Sequence, residues 1–446
     1  MFFKPFPLPT EPVIPQTRVC ITDFGALPDG KTDAKPAIDA AIAAIAAQGG
    51  GHVVIPRGDF FCDGPVHFVS KMDLHLEEGA RLIFTDRKEA YLPVVFTRIE
   101  GIRCYNYSPL LYGIDLEDIS VTGSGTLYGN GMNWWHMHKG VHAYSSGCGS
   151  VTDRLHRMGQ ENTPLEERIF GTEEDNLRPY FLQFVRCKTI LIEGVRFEES
   201  PFWTVAPLFS ENITIRGVHW YTDLPAHNTD SVDIDSCRRV LVENCVVESS
   251  ADDSFCVKSG RDRDGREAGV PTEDVLVRNC EMHNAGGSMV VGSETSGGIR
   301  NICFRDCTVD NCGNAVNVKS APGRGNVVEN VDFINIRATR VIKGVSISMR
   351  YFVTGEEQLT DMPVVRNIYV EGVTVGNSWH GLYLQGYKGY PVDNIVLRDI
   401  DINAIETDVC MEYAENVSFD RVAVHRSREF FRWQETGGIV RPGEQK

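Results

Sequence analysis

Three aspartates in this sequence have the spacing that acid–base chemistry requires. Asp230 ends the motif His-Asn-Thr-Asp, and Asp252 and Asp253 are adjacent in Ser-Ala-Asp-Asp-Ser. Carboxyl groups that crowd together cannot all ionise, so one keeps its proton while others lose theirs, and hydrolysis of a glycosidic bond needs such an acid beside a base. A solvated turn or a calcium site would use the same residues. Asp233 and Asp235, which alternate with apolar residues, are interpreted as the solvated face of a strand.

Several cationic and aromatic residues are candidates for binding a ligand near these acids. Asn317 and Lys319 are two residues apart, so their side chains face the same way on a strand. Lys319, Lys258 and Arg261 are predicted to form a cationic pocket for a carboxylated ligand in an otherwise acidic protein. Trp203 is predicted to stack on a sugar ring.

A short repeat must position these residues. Each unit of the repeat begins with a polar residue and an apolar-x-apolar triplet, which we call a phrase. A two-residue polar or glycine step and a second strand follow. Successive phrases start 22 to 37 residues apart, after a first gap of 71. This period predicts a parallel β-helix with one unit per coil. The phrases are Ile119–Val121, Ile190–Ile192, Ile213–Ile215, Val240–Val242, Val275–Val277, Ile302–Phe304, Val331–Phe333, Ile368–Val370, Ile395–Leu397 and Val417–Phe419.

The repeat also fixes what lies inside and outside the solenoid. Asp253 follows Asp230 by 23 residues, one unit of the repeat, so we expect the two on neighbouring coils about 4.8 Å apart. Cys245, Cys280 and Cys307 occupy the same place in three successive units and are predicted to form a buried ladder.

Residues 1–446 are interpreted as one all-β domain with two additions to the repeat. Residues 33–48 form the one convincing helix, which Asp33 can cap and Gly49–Gly51 ends, and we expect it to cover the first coil. Residues 134–178 lack the repeat and fill the first gap, so they are predicted to be an inserted loop that shapes a binding cleft.

Composition excludes several classes of partner. The chain is 42% hydrophobic and 24% charged, with a net charge of −17, which disfavours nucleic acid and anionic membranes. No apolar run has the length of a membrane span. The thirteen scattered cysteines and the proline-rich N-terminus predict a cytoplasmic protein without exported character. The sequence predicts no cofactor and no metal, and it leaves open whether the protein forms a homo-oligomer.

With these motifs in family order, the chain resembles glycoside hydrolase family 28, the polygalacturonases, and within it the bacterial exo-acting members. The resemblance is carried by Asn228-Thr-Asp230, Asp252-Asp253, Gly292-Ser-Glu294 and Asn317-Val-Lys319, and by an opening Asp-Phe-Gly-Ala at residues 23–26. It implies a right-handed parallel β-helix, a pectic oligosaccharide substrate, and hydrolysis with inversion at an α-linked galacturonic acid. It also implies that Asp252 protonates the leaving oxygen, that Asp230 and Asp253 position and deprotonate water, and that Asn228 binds substrate.

The chain departs from the family pattern at two positions, which keeps alternatives open. Gly286 is aligned with the family histidine, and Asn317 stands in place of an arginine. A neutral amide binds a carboxylate less well than a bidentate guanidinium, so the sugar there is predicted to be neutral, such as rhamnose. A rhamnogalacturonan galacturonohydrolase, a non-catalytic carbohydrate-binding β-helix and a calcium-dependent lyase are therefore the alternatives to an exo-polygalacturonase.

Overall fold

The computed structural model describes residues 1–138, 151–172, 175, 177–223, 226–351 and 359–426. Parallel strands stack rung upon rung into a solenoid, and connections between parallel strands of this kind are right-handed. The first residue of every predicted phrase pairs in register with the first residue of the next, from Ile119 and Ile190 through to Ile395 and Val417. The predicted right-handed β-helix is confirmed.

Most of the chain forms strands. These are β1 (Arg18–Cys20), β2 (Asp29–Asp33), β3 (Gly51–Ile55), β4 (Gly58–Cys62), β5 (Val66–His67), β6 (Met72–Leu76), β7 (Ala80–Phe84), β8 (Val95–Ile99), β9 (Ile102–Asn106), β10 (Leu111–Ile114), β11 (Glu117–Gly123), β12 (Thr126–Tyr128), β13 (Leu182–Val185), β14 (Lys188–Glu193), β15 (Arg196–Glu198), β16 (Glu211–Arg216), β17 (His219–Tyr221), β18 (Val232–Asp235), β19 (Arg238–Glu243), β20 (Val246–Lys258), β21 (Thr272–Arg278), β22 (Glu281–Val291), β23 (Ile299–Lys319), β24 (Val327–Ser348), β25 (Val364–Gln385), β26 (Val392–Glu412) and β27 (Ala414–Arg426).

The helices are short and lie outside the stack of rungs. They are α1 (Lys35–Ala46), α2 (Met132–His138), α3 (Val151–Glu161) and α4 (Asp262–Ala268), with 3-10 turns at Ile21–Phe24, Lys88–Tyr91 and Leu165–Glu167. None of the helices in the described ranges has the length and apolar character needed to cross a membrane.

Left-handed backbone conformations bend the chain at the same two places in each repeat. The residue before every phrase has φ between 51° and 62°, and the second residue of each step also has a positive φ. Asparagine, aspartate and glycine tolerate this conformation best, which explains why the steps contain them. The residues before the phrases are Asp118, Thr189, Asn212, Arg239, Asp274, Asn301, Asn330, Asn367, Asn394 and Asn416.

Side chains at the first bend also bond from rung to rung. The Nδ2 of Asn367 donates to Oδ1 of Asn330 at 2.9 Å, and the Nδ2 of Asn394 donates to Oδ1 of Asn367 at 2.7 Å. The predicted cysteine ladder is confirmed inside the solenoid, where the buried thiol of Cys280 lies between those of Cys245 and Cys307.

The N-terminal segment runs along this asparagine ladder, which the sequence analysis did not foresee. Backbone N–H groups of Lys4, Thr10 and Val13 donate to side chains at the first bend of three different rungs, and that of Phe2 donates to a side chain within the phrase of a fourth rung. Its acceptors are Oδ1 atoms of Asp332, Asn301, Asn212 and Asp118. The prolines of this segment suit an extended chain, which spans many rungs with few residues.

The predicted N-terminal helix is present as α1. It begins at Lys35, with Ala34 at the N-cap position, while Oδ1 of Asp33 accepts the N–H of Lys35 at 2.9 Å. Its buried face of alanine and isoleucine joins the main core close to β1 and β3. Its role as the cap of the first coil remains a prediction.

The insertion at 134–178 leaves the solenoid between two neighbouring rungs, because β11 and β14 pair directly. It includes the end of α2, α3 and the 3-10 turn at Leu165–Glu167, whereas its polar composition predicts a loop. Residues 139–150, 173, 174 and 176 of this prediction lie outside the described residues. Leu155, Phe170 and Leu177 pack with Ile102 and Trp203 in a second, smaller core beside the solenoid.

Replacing Asn367 separates the two contributions of the ladder to stability. We expect Asn367→Gly to lose the side-chain bonds to Asn330 and Asn394 but to keep the positive φ. Asn367→Ala should lose the same bonds and also the favourable positive φ. The alanine variant should therefore be less stable than the glycine variant by about 1 kcal/mol or more. Thermal unfolding of the two variants beside the parent tests this order; equal melting temperatures would show that backbone conformation at this bend contributes little.

Candidate active site

The solenoid brings the three predicted aspartates together. Asp230 lies just before β18, and the N–H of Ser231 donates to the carbonyl of Asp253 at 3.0 Å, which places the two acids on neighbouring rungs. Carboxylate oxygens of Asp230 and Asp253 lie within 4.8 Å of each other. Asp252 is close enough to raise the pKa of Asp230 through its charge.

A β-bulge allows adjacent Asp252 and Asp253 to serve one site. Ser250 pairs with Ala285 and Asp253 pairs with Gly287, so β20 uses three residues where β22 uses two. This extra residue interrupts the alternation that would send neighbouring side chains to opposite faces. Asp253 is buried, Asp252 is half-buried, and the Oδ1 of Asp252 accepts the N–H of Asp253 at 3.0 Å.

The two lysines near the acids already form ion pairs. Nζ of Lys319 lies 2.7 Å from Oδ2 of Asp253. Nζ of Lys258 lies 3.1 Å from Glu294, 3.4 Å from Asp233 and 3.9 Å from Asp230. Both ammonium groups therefore neutralise acids of the protein itself.

Arg261, the third member of the predicted cationic pocket, is also engaged. Its guanidinium lies 3.7 Å from Glu100 and 3.4 Å from Asp262, and its Nη1 is 3.1 Å from Nε2 of His156 on α3. The predicted pocket is thus not an open positive surface, because acids that are distant in sequence face each of its three cations.

Two of these acids were not among the predicted site residues. Asp233 is fully buried at 0% exposure, so its interpretation as part of a solvated face was wrong. Glu294 was recognised only as part of a motif. Both surround Lys258, and only the stacking of three rungs brings β18, β20 and the end of β22 together.

The acids differ in their affinity for protons. Burial and the charge of Asp253 raise the pKa of Asp252 to about 6, although Lys319 opposes this rise. Burial and the charge of Asp233 raise the pKa of Asp230. Burial would raise the pKa of Glu294 too, but Lys258, Arg324 and Arg261 outweigh it and hold that pKa far below its usual value.

The lysines stay charged despite their burial. Desolvation disfavours the ammonium form of Lys319, but the charge of Asp253 and smaller contributions from other neighbours together outweigh it and raise its pKa. The same balance holds for Lys258, where desolvation lowers the pKa but the charges of Glu294, Asp233 and Asp230 help to raise it. The site therefore contains Asp252, an acid that can carry a proton, next to Asp253, whose carboxylate pairs with the positively charged Lys319.

Asn228 reaches the acids as the sequence predicts. Its Nδ2 lies 3.5 Å from Oδ2 of Asp252, and its Oδ1 accepts a hydrogen bond from Nη2 of Arg178 at 3.0 Å. Arg178 also donates to the carbonyls of Pro201 and His227 and lies over the ring of Phe202. Arg178, at the end of the insertion, thereby fixes the position of Asn228.

Trp203 differs from its predicted role. It is only 4% exposed, it stacks on Phe202 with ring centroids 5.3 Å apart, and Nζ of Lys258 lies 4.4 Å from its ring centre. It offers a sugar almost no surface because its faces are occupied.

Asn317 is buried two residues before Lys319 on β23, where it pairs with Ser346 of the next rung.

Glycines leave room beside the carboxylates. A Cβ atom on Gly287 would lie 2.2 Å from Oδ1 of Asp253, and one on Gly286 would lie 3.0 Å from Cα of Asp252. Any side chain at Gly287 would displace the Asp253 carboxylate. The residue that faces Asp253 is thus Gly287, one position after the glycine aligned with the family histidine.

The cluster of Asp230, Asp253 and Cys256 has the spacing of a metal site but does not suit calcium. Calcium takes six to eight oxygen ligands, whereas burial raises the pKa of the Cys256 thiol and keeps it protonated. The ammonium groups of Lys258 and Lys319 also occupy the positions beside the two carboxylates where a cation would bind.

A parallel β-helix that places Asp252, whose pKa is raised to about 6, beside Asp230 and Asp253 has the neighbouring carboxyl groups that the glycoside hydrolase class of enzymes requires. The chain belongs to the family described as "Glycosyl hydrolases family 28", whose model matches residues 167–419, and residues 18–75 match "Rhamnogalacturonase A/epimerase, pectate lyase-like".

Relatives of known name support this membership. A hyperthermoactive exopolygalacturonase from Thermotoga maritima has 36% sequence identity and a TM-score of 0.85, with 94% of each chain covered. A probable polygalacturonase from Vitis vinifera is 24% identical over 86% of this chain and 74% of its own length. An exo-poly-alpha-D-galacturonosidase from Dickeya chrysanthemi is 24% identical over 80% of this chain and 62% of its own length.

The proton affinity of Asp252 can be measured without substrate. We expect an infrared titration of the carboxyl C=O band, assigned by its loss in Asp252→Asn, to give an apparent pKa near 6. Because the Lys319 ammonium lowers this pKa, Lys319→Met should move the titration to higher pH. A titration of Asp252 in the range of ordinary aspartates, or a shift to lower pH in Lys319→Met, would contradict the electrostatic picture of the site.

Proposed function

We propose that this protein is an exo-acting, inverting glycoside hydrolase that releases galacturonic acid from pectin-derived oligosaccharides. The observation that carries the proposal is the contrast between Asp252, whose pKa is raised to about 6, and Asp253, which Lys319 contacts at 2.7 Å. The names of the relatives support the substrate class and the exo action. Retention of all three acids in one cluster favours catalysis over carbohydrate binding alone.

In the proposed reaction Asp252 donates its proton to the leaving glycosidic oxygen. Asp253, which Lys319 contacts at 2.7 Å, and Asp230 hold the attacking water on the opposite face of the sugar, and Asp253 takes up its proton. Asn228 orients Asp252 through the contact at its Oδ2. Inversion follows because a single displacement by water changes the configuration at the anomeric carbon.

The surroundings of Glu294 support cutting at a chain end. The tip of the β8–β9 hairpin, at Glu100 and Gly101, packs directly on this residue: a Cβ on Gly101 would lie 2.8 Å from Cγ of Glu294. Arg261 donates its backbone N–H to Gly101, and its guanidinium lies beside His156 of α3. Hairpin and insertion together would form a wall that closes the cleft on one side.

A second candidate is a rhamnogalacturonan galacturonohydrolase. Asn317 favours it, because a buried neutral amide stands where the family pattern has an arginine, and the neighbouring cation, Lys319, is already paired with Asp253. A neutral rhamnose would suit this surface.

We also propose that the protein acts in the cytoplasm on imported oligosaccharides. The cysteines of the described ranges are all free thiols and most are buried, which is typical of a reducing compartment. Cell fractionation tests this: recovery of the active protein outside the cytoplasm would contradict it.

The substrate and the acid are tested together. We expect the parent enzyme to hydrolyse digalacturonate to two molecules of galacturonic acid, or a galacturonate–rhamnose disaccharide to galacturonic acid and rhamnose, and the preferred disaccharide decides between the two candidates. Asp252→Asn should reduce the rate by roughly hundredfold to ten-thousandfold, because general acid catalysis is lost. Asp401→Asn, on a distant rung, should leave it unchanged.

The pH dependence follows from the same acid. Because Asp252 must be protonated to act, kcat/KM should fall as the pH rises through about 6. Near-parental activity in Asp252→Asn would contradict its assigned role, and inactivity of the parent on both disaccharides would contradict both candidates. Activity lost on chelation together with an unsaturated product would point to a lyase.

A further inference from the structure

The corner of the solenoid that carries Asp253 continues in register toward the C-terminal end. Asp253 pairs with Gly287 on the next rung, and Asn314, on the rung after that, pairs with Lys343, which in turn pairs with His380. Lys343 is therefore three rungs from Asp253 on the same corner, or about 14 Å at the usual strand spacing. A pyranose chain lying along the solenoid advances by about one rung spacing per sugar, so about four sugars cover this stretch.

Lys343 differs from the lysines beside the acids. Lys258 and Lys319 each contact carboxylates, but Lys343 forms no ion pair within the described part of the chain. Its half-buried ammonium group lies 5.0 Å from the ring centre of Tyr383, and His380 packs edge-on against that ring at 5.2 Å. Burial lowers the pKa of Lys343, as expected for a cation that no acid compensates.

The contact with Tyr383 orients the cation without neutralising it. An ammonium group over an aromatic face gains only about 0.5–1 kcal/mol, much less than a hydrogen-bonded carboxylate provides. The donors of Lys343 thus remain ready for an anion. The Nδ1 of His380 is buried with no hydrogen-bond partner in the residues described, so this histidine adds an unused polar group next to the lysine.

We propose that Lys343, Tyr383 and His380 form a distal subsite that binds a uronic acid carboxylate of the oligosaccharide whose terminal bond is cut at Asp252. The proposal rests on the proposed function, because it takes the ligand to be an oligogalacturonide that runs along the corner. Lys343 pairs with the carboxylate, and the ring of Tyr383 holds the lysine in place. In a protein with a net charge of −17, an uncompensated lysine here attracts an anionic chain that the rest of the surface repels.

Chain length separates this subsite from the catalytic centre. Lys343→Met keeps the aliphatic stem and removes the charge, so kcat/KM for hexagalacturonate should fall roughly threefold to tenfold. Digalacturonate, which is too short to reach from Asp253 to Lys343, should be hydrolysed at the parental rate. Lys343→Arg should retain most of the preference for the longer substrate, and Lys188→Met, on an exposed lysine away from this corner, should change neither rate.

Each other outcome contradicts a defined part of the proposal. Equal losses on both substrates would show that Lys343 acts through the fold, and no loss on either would show that it binds no sugar. If the parent hydrolyses neither substrate, the proposed function fails, and calorimetric binding of hexagalacturonate decides the subsite separately. Weaker binding in Lys343→Met than in the parent would then support the subsite, and equal or absent binding would overturn it.

Discussion

Backbone hydrogen bonds between parallel rungs hold the repeat at a spacing of about 4.8 Å, and the site depends on this spacing. It brings Asp230 and Asp253, which are 23 residues apart, onto neighbouring rungs, and it brings Lys319 within 2.7 Å of Asp253 from two rungs further on. The left-handed bends protect the register, because each rung turns at the same residue as the one before it. Catalytic geometry in this fold is therefore a consequence of stacking rather than of any single loop.

Such close packing has an electrostatic cost that the two lysines reduce. Asp230, Asp233, Asp252, Asp253 and Glu294 are five carboxylic acids around Lys258 and Lys319, largely removed from water. Arg324 and Arg261 also compensate Glu294, but two ammonium groups cannot compensate the four aspartates, so the cluster retains protons. The raised pKa values of Asp252, Asp230 and Asp233 express this requirement. Asp252 alone among these three is half-exposed, so its proton is the one available to a substrate.

The repeat can be recognised from the sequence because two patterns indicate it: the apolar phrases, and the residues that bend the chain between them. Ile190, Ile213 and Val240 stack as predicted, and so do the cysteines of the ladder. The bulge at Asp252 was not readable, since strand periodicity says only that neighbours alternate. Burial of Asp233 was hidden for the same reason: its alternating pattern also describes a solvated face. The acids around Lys258, and Glu100 beside Arg261, are separated from these cations by 25 residues or more, and no local pattern encodes them.

The acidity of the whole chain and the anionic character of the proposed ligand are compatible because charge acts locally inside a cleft. Salt ions in solution screen exposed charges beyond about 8–10 Å at physiological ionic strength, so most of the 61 acidic residues contribute little to the field at the site. What a uronic acid meets there depends on whether each nearby cation already has an acidic partner. Lys258, Lys319 and Arg261 do, and their charges act to lower the pKa values of Asp252 or Glu294. Attraction of the ligand must then come from cations outside the catalytic cluster, which makes an unpaired lysine on the same corner of the solenoid more effective than another lysine beside the acids.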